Sequence, residues 1–248
     1  MKYFWIALIA TQTAICSDNP VIVELFTSEG CSSCPSAEAM VANLERRQPV
    51  PGVQVIALEE HVDYWNQLGW KDVYSAPQFR FRQNDYAKLF GVDEVYTPQM
   101  VVGGHAGFSG SSYDTALKEI AKYGASPQDQ IQLAVSPNAR NPGQLDLHVV
   151  VQDRGTTHNE SLLYLAVTES GIVSSVTRGE NANRNLRHAS LVRSFGVIGK
   201  VDARTPSLTL NSTLQFPAEW KRENLRAVVF LQDKKSKTIT GASTLELH

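Results

Sequence analysis

Val21-Ile22-Val23-Glu24-Leu25-Phe26-Thr27-Ser28-Glu29-Gly30-Cys31-Ser32-Ser33-Cys34-Pro35 is the stretch that decides how this chain is read. Val21 to Phe26 is an apolar run with one acid inside it, the pattern of a buried strand. Thr27 to Gly30 is a loop. Ser36 to Arg47 has helical composition, with Ala37, Met40, Val41 and Leu44 on one face. Two cysteines three apart at a helix start can close a disulfide within one turn, and Pro35 is tolerated where N–H groups have no intrahelical partner. Those unpaired N–H groups also lower the pKa of a nearby thiol. Cys31 is therefore expected to be the exposed nucleophile, and Cys34 the buried resolving thiol, of a thiol–disulfide exchange site. Two other readings stand beside it. Half a zinc site is one, although no second Cys-x-x-Cys or Cys–His pair completes it; a static structural disulfide is the other.

Working outward, Val53 to Leu58 reads as a second strand, and His61 to Phe81 is aromatic-rich and irregular. Ser75 to Phe90 contains helix, with Phe79, Tyr86, Leu89 and Phe90 as candidate inward residues. Met100-Val101-Val102 is a third strand, Gly103-Gly104 turns a hairpin into a short strand around Phe108, and Tyr113 to Tyr123 is a last helix. This order predicts a compact α/β domain over 19–124. Gly124-Ala125-Ser126-Pro127 reads as a linker. Beyond it lie seven short apolar or alternating runs: Ile131–Val135, Leu145–Val151, Leu162–Thr168, Ser190–Ile198, Leu208–Phe216, Leu225–Leu231 and Thr238–Leu247. Almost without helix, they predict an all-β, sandwich-like domain over 128–248.

The order strand, Cys-x-x-Cys helix, strand, helix, proline, strand, hairpin, helix resembles the thioredoxin fold. The resemblance implies a thioredoxin-like first domain in which Tyr96-Thr97-Pro98-Gln99 supplies a cis-proline beside the cysteines. Thr97 would offer its backbone to a bound peptide, with Tyr96 and Pro98 in the same binding element. It also implies that Glu24, on the strand leading to the cysteines, is a buried carboxylate able to take the proton of Cys34; an outward-facing strand residue is the alternative. Closer still, the chain resembles an uncharacterised family of secreted bacterial proteins, a domain of unknown function. That resemblance rests on Val23 to Pro35, His61-Val62-Asp63-Tyr64-Trp65 with Leu68-Gly69-Trp70, and Val95 to Gln99. Arg178-Gly179-Glu180-Asn181, followed by Arg184, Leu186, His188 and Arg193, extends it into the second half. It implies a thioredoxin-like domain followed by a β-rich one and brings no known reaction.

His61 and Asp63 flank Val62 and could point the same way, either lining a cleft near Cys31 or holding the loop by hydrogen bonds. Two thiolates and one imidazole would also suit copper chaperoning by Cys31, Cys34 and His61, although copper carriers related to thioredoxin space their cysteines more widely. Tyr64, Trp65, Trp70, Tyr74, Phe79 and Phe81 could form an apolar wall for a peptide substrate or pack a small core of their own. Arg178, Glu180, Arg184, His188 and Arg193 read as a charged set that docks the second half onto the first, with a substrate-facing patch as the alternative.

Composition bounds the rest. The 248 residues are 42% hydrophobic and 19% charged, enough for a buried core and too ordered in pattern for wholesale disorder. A net charge of −2 removes the basic footprint of a general nucleic-acid binder, and no apolar run reaches the roughly 18 residues of a membrane span. Three cysteines are too few for a disulfide-stapled scaffold. Met1-Lys2, the apolar block Tyr3 to Ala10 and the small or polar residues to Ser17 have the order of a secretory signal over 1–16, with a buried N-terminal strand as the alternative. Cleavage after Ala14 or Cys16 is compatible with it; Ile15 argues against lipidation of Cys16. The expectation is thus a secreted or periplasmic thiol–disulfide oxidoreductase acting on protein or peptide thiols and disulfides. It needs no cofactor and no metal, it has neither nucleic-acid partner nor membrane span, and its oligomeric state is left unspecified. A binding module with a structural disulfide is the principal alternative, and the copper chaperone the second.

Overall fold

The structure, a computed structural model, describes residues 12–14, 19–141, 143–152, 160–201 and 207–248. Most of the leader, with Cys16, lies outside the described residues; Gln12–Ala14 forms β1, paired antiparallel with β6 (Gln130–Pro137). No helix among the described residues is long and apolar enough to cross a membrane.

The first half follows the hydrophobic pattern closely. β2 (Asn19–Thr27) runs parallel to β3 (Val53–His61) through the crossover helix α1 (Cys34–Arg47). Helix α2 (Pro77–Phe90) leads to β4 (Gln99–Val102), antiparallel to β2, then β5 (Ala106–Ser109) and α3 (Tyr113–Gly124). Strand alternation sorts β2 between two cores. Val21, Val23 and Leu25 pack with Ala37, Val41 and Leu44 of α1 and with Ala116 and Ile120 of α3. Ile22 and Phe26 face the other way, toward Phe79 and Tyr86 of α2. On α2 the expected inward residues Phe79 and Tyr86 are buried, whereas Leu89 is 42% exposed.

The second half supplies β7 (Leu145–Gln152), β8 (Ser161–Glu169), β9 (Ile172–Val176), β10 (Arg184–His188), β11 (Leu191–Val201), β12 (Ser207–Leu214), β13 (Leu225–Asp233) and β14 (Ile239–Glu246). Here the expectation of an α/β thioredoxin-like domain followed by a separate sandwich is overturned. β11 pairs parallel with β3 at Leu191 and Glu59, the Glu59 N–H donating to the Ser190 carbonyl at 2.9 Å. One mixed eight-stranded sheet therefore runs β14-β13-β8-β11-β3-β2-β4-β5, through both halves of the chain. The physical reason is that β3 has a free edge once β2 has paired on its other side, and β11 completes it. The four-stranded sheet β1-β6-β7-β12 covers the β8–β13–β14 end over an apolar core that includes Leu147, Val149, Leu163 and Val229. Strand dominates the architecture, with three α-helices against fourteen strands among the described residues. The β9–β10 hairpin stands as a two-stranded sheet of its own.

Two features lock the halves together. Arg82 of α2 is buried against Glu24 and Glu60, donates to Gln232 Oε1 at 3.0 Å and to the Tyr86 hydroxyl at 2.9 Å, and lies over the rings of Tyr164, Phe195 and Phe230. Gly104, at φ +73°, lies so close to β13–β14 that a Cβ there would sit 1.9 Å from the Lys237 carbonyl oxygen. Arg82→Met removes the partner of buried carboxylates and should destabilise the protein by about 3–5 kcal/mol in urea denaturation, with Arg82→Lys recovering part of the loss. Gly104→Ala should lower the urea midpoint as well, because it meets both a positive φ and a backbone oxygen.

Candidate functional site

The site sits where β2 and β3 end and α1 begins. Cys31 and Cys34 form a disulfide, with Cα atoms 5.4 Å apart. Cys34 is the first residue of α1 and Pro35 lies in its first turn, so the bond closes across the helix N-terminus as the spacing implies. Both cysteines are buried, Cys31 at 1% and Cys34 at 0% exposure, while Ser32 and Ser33 between them are exposed. The exposed Cys31 read from the sequence is thus not what the fold presents.

The cover comes from the second half of the chain. Asn181, buried, donates through Nδ2 to the carbonyls of Glu29 and Cys31, each at 2.9 Å. Glu180 accepts the Ser32 N–H at 3.0 Å, and its hydrogen bonds to the Ser32 hydroxyl and N–H hold its carboxyl below the usual range. Gly179, at φ +76°, fits against Trp70, where a side chain would press on Trp70 Cβ. The Arg178–Asn181 segment therefore docks on the cysteine loop, which selects between the two readings of that charged set. Arg184 donates to Asn181 Oδ1, and Arg193 donates to Glu169 while lying over the ring of Tyr74 from the first half.

Beneath the disulfide lies a cluster of buried acids and imidazoles that no single motif announces. Glu38, one turn along α1 from Cys34, accepts the Thr27 hydroxyl at 2.5 Å and lies 3.3 Å from His188 Nδ1. His188 Nε2 meets Glu29 Oε1 at 3.3 Å, and Glu59 Oε2 stands 3.9 Å from His188 Nδ1. His61 Nδ1 meets Asp72 Oδ2 at 2.7 Å, and the two imidazole rings are 4.9 Å apart in an edge-to-face arrangement. Burial opposes protonation of His188, yet the carboxylates of Glu29 and Glu38, one at each ring nitrogen, push it up to about 10. Burial drives Glu59 up to about 7, helped by the neighbouring charge of Glu38. His61 is raised despite burial because Asp72 faces it, and Asp72 is lowered in return despite its own burial.

The remaining expected residues distribute unevenly. The Thr97–Pro98 bond is cis, and Pro98 precedes Gln99, the residue paired with Phe26, at the cysteine end of the sheet. Thr97 Oγ1 accepts the Trp65 indole N–H at 2.8 Å, and the Tyr96 carbonyl accepts Gln83 Nε2 at 2.7 Å, so this loop is tied to its surroundings on both sides. Trp65 is half-buried against Gly30, within one residue of Cys31. The aromatic segment serves the acid cluster as much as any wall: Trp70 donates to Glu29 Oε2 at 2.7 Å, while Phe81 is 60% exposed away from it. His61 is buried and lines no open cleft, and Asp63 turns to Arg80 instead of joining it. Glu24 shares the β2 face of Ile22 and Phe26, opposite α1, and is bound by Arg82 and by the Tyr86 hydroxyl at 2.6 Å. It is not placed to take a proton from Cys34. Neither sulfur joins the donor set of Glu38, His61 and His188, the set that converges among the described residues, so the copper constellation is not assembled.

Comparison with known proteins places the chain in a family and a fold without naming a reaction. No curated protein matches it. Among solved structures, a crystallised protein of Agrobacterium tumefaciens superposes with a TM-score of 0.69 at 22% identity, over 94% of this chain and 97% of that one. HBP35 of Porphyromonas gingivalis superposes with a TM-score of 0.65 at 12% identity, over 94% of this chain and 76% of its own. At such identities the likeness is one of fold alone. Residues 22–232, which hold the disulfide, the acid cluster and the docking segment, match the proteins of unknown function designated DUF1223, and the chain belongs to that family.

Proposed function

We propose that the protein is a thiol–disulfide oxidoreductase of a secreted or periplasmic compartment, with Cys31 and Cys34 as its redox pair. The observation that carries this reading is the disulfide closed across the N-terminus of α1, where helix N–H groups favour a thiolate once the bond opens. A disulfide of this kind and the apolar leader composition both suit an oxidising compartment. Partners are protein or peptide thiols and disulfides, and we assign the binding of a substrate chain to Thr97, Pro98, Tyr96 and Trp65, the last of which packs against Gly30 beside Cys31.

In the exchange a substrate thiolate attacks Cys31 Sγ; the Cys31–Cys34 bond breaks, and Cys34 leaves as a thiolate that takes up a proton. A second substrate thiol, having lost its proton, attacks the substrate sulfur of the mixed disulfide and frees Cys31. The substrate loses two electrons and two protons, the cysteine pair gains both, and the same steps run backwards from the dithiol. Because Cys31 is buried, the exposed Ser32-Ser33 turn must part from Glu180 before a substrate sulfur reaches it. That same burial favours the second reading, in which the disulfide is fixed and the protein is a binding module.

Trapping, reduction potential and reduction rate separate them. Cys34→Ser expressed in the native compartment should accumulate mixed disulfides through Cys31; no trapped species, together with a reduction potential below about −300 mV, would identify a structural bond. Asn181→Ala leaves two buried carbonyls without their donor and should destabilise the protein by about 1–3 kcal/mol for each. In the exchange reading the same variant also speeds reduction of the disulfide by dithiothreitol, relative to the unchanged chain.

A further inference from the structure

We propose that Glu38, His61 and His188 form a binding site for one divalent transition-metal ion of the Zn²⁺ type. The site is separate from the cysteine pair and independent of the redox reading. One donor atom from each of the three residues lies within 4.8 Å of the other two, and all three residues are buried. Ligands held at about 2.0–2.1 Å around a tetrahedral ion sit about 3.3 Å apart, which is the separation already present between Glu38 Oε2 and His188 Nδ1. Small side-chain shifts would draw in His61. Two imidazoles and a carboxylate suit Zn²⁺ and its neighbours in the first transition row, and not a hard cation, which takes oxygen ligands.

The independent observation is the pattern of satisfied and unsatisfied ring nitrogens. His61 Nε2 is buried and has no hydrogen-bond partner, and His188 Nδ1, equally buried, makes no hydrogen bond of good geometry and faces Glu38 Oε2, the third proposed ligand, at 3.3 Å. Each ring's other nitrogen is engaged by a carboxylate: His61 Nδ1 by Asp72 at 2.7 Å and His188 Nε2 by Glu29 at 3.3 Å. A metal-bound histidine shows the same arrangement, one nitrogen on the ion and the other giving its proton to a carboxylate that fixes the tautomer and ring plane. The supporting carboxylates are themselves held. Asp72 accepts the N–H groups of Glu29 and Tyr74, each at 2.9 Å, and Glu29 accepts the Trp70 indole. Glu59, whose oxygens take the Ala189 N–H at 3.2 and 3.3 Å, stands ready as a fourth ligand or as the partner of a bound water.

The three ligands come from α1, β3 and β10, so an ion would pin the β9–β10 hairpin to the body of the fold. A groove between α1 and that hairpin, with Ala42, Glu45, Ile172 and His188 in its walls, gives the ion its approach.

The test uses the full chain with its disulfide intact, stripped by chelator and titrated with Zn²⁺, with Co²⁺ as a spectroscopic probe. The expected result is one ion per chain and four- or five-coordinate cobalt bands without sulfur-to-cobalt charge transfer. His61→Gln and His188→Gln should each weaken binding by more than about 100-fold, and Asp72→Asn by about 10–100-fold. Cys31→Ser with Cys34→Ser should leave stoichiometry and affinity unchanged. Where a histidine variant fails to fold, X-ray absorption of the zinc-loaded unchanged chain must show two imidazoles and no sulfur. Absence of stoichiometric binding by the folded unchanged chain, undiminished affinity in folded His188→Gln, or sulfur in the coordination sphere would each overturn the proposal.

Discussion

The pairing of β11 with β3 is the contact on which the rest of this molecule depends. It consists of little more than the Leu191–Glu59 register pair and the Glu59 N–H bond to Ser190. Its effect is large because it closes the sheet edge exactly where the cysteine loop, the end of β3 and the return of the second half converge. Ala189 and Ser190, brought in by that pairing, hand their polar groups to Glu59 and Glu45, the Ser190 hydroxyl reaching Glu45 at 2.5 Å. His188 follows into a chamber of acids. The segment that buries Glu29, Glu38 and Glu59 thus also carries His188, the imidazole that faces all three, so cover and charge compensation arrive together.

The opposite face of the same sheet repeats the principle with different chemistry. There Glu24 and Glu60 lie together, and burial with the neighbouring Glu24 charge pushes Glu60 well above the ordinary carboxylate range. The cation is Arg82, whose planar head serves a carboxylate, a phenol and an amide at once while its faces lie on aromatic rings from both halves. Adjacent residues of β3, Glu59, Glu60 and His61, thus point alternately into two charged centres on opposite sides of the strand. Each centre is completed by side chains from the other half of the chain.

How much of this was legible follows from the range of each signal. Apolar runs located β2, β3, β4 and β13, because a strand buried on both faces is written locally as Val, Ile and Leu, and apolar or alternating runs located β6, β7, β8, β11, β12 and β14. Helix α1 and the Cys31–Cys34 pairing were legible for the same reason: the spacing and the helix start are neighbours in sequence. β9 and β10 were not, since Ile172-Val173-Ser174-Ser175-Val176 and Arg184-Asn185-Leu186-Arg187-His188 bury few side chains and carry little alternation. The expectation of a thioredoxin-like domain followed by a separate sandwich failed because β3 reads identically whether its second edge is free or paired; only β11, far along the chain, decides it. Glu24 is buried as the resemblance implies, but its partners Arg82 and Tyr86, 58 and 62 residues away, leave no local trace in β2. Glu38 carried a usable signal, one turn from Cys34 on the same helix, and Asn181 and His188 lay in the motif segment without any local clue to their target.

Asn181 and His188 also set the order in which the site comes into being. The Asn181 bond to the Cys31 carbonyl spans 150 residues, and the His188 contact with Glu29 spans 159. Contacts of such separation close late, after local structure has formed and, on a growing chain, only once most of it has emerged. Cys31 and Cys34, three residues apart, need nothing from the second half to pair, whereas their cover depends on it entirely. The burial of the pair is thus a property conferred on two neighbouring cysteines by a residue 150 positions away.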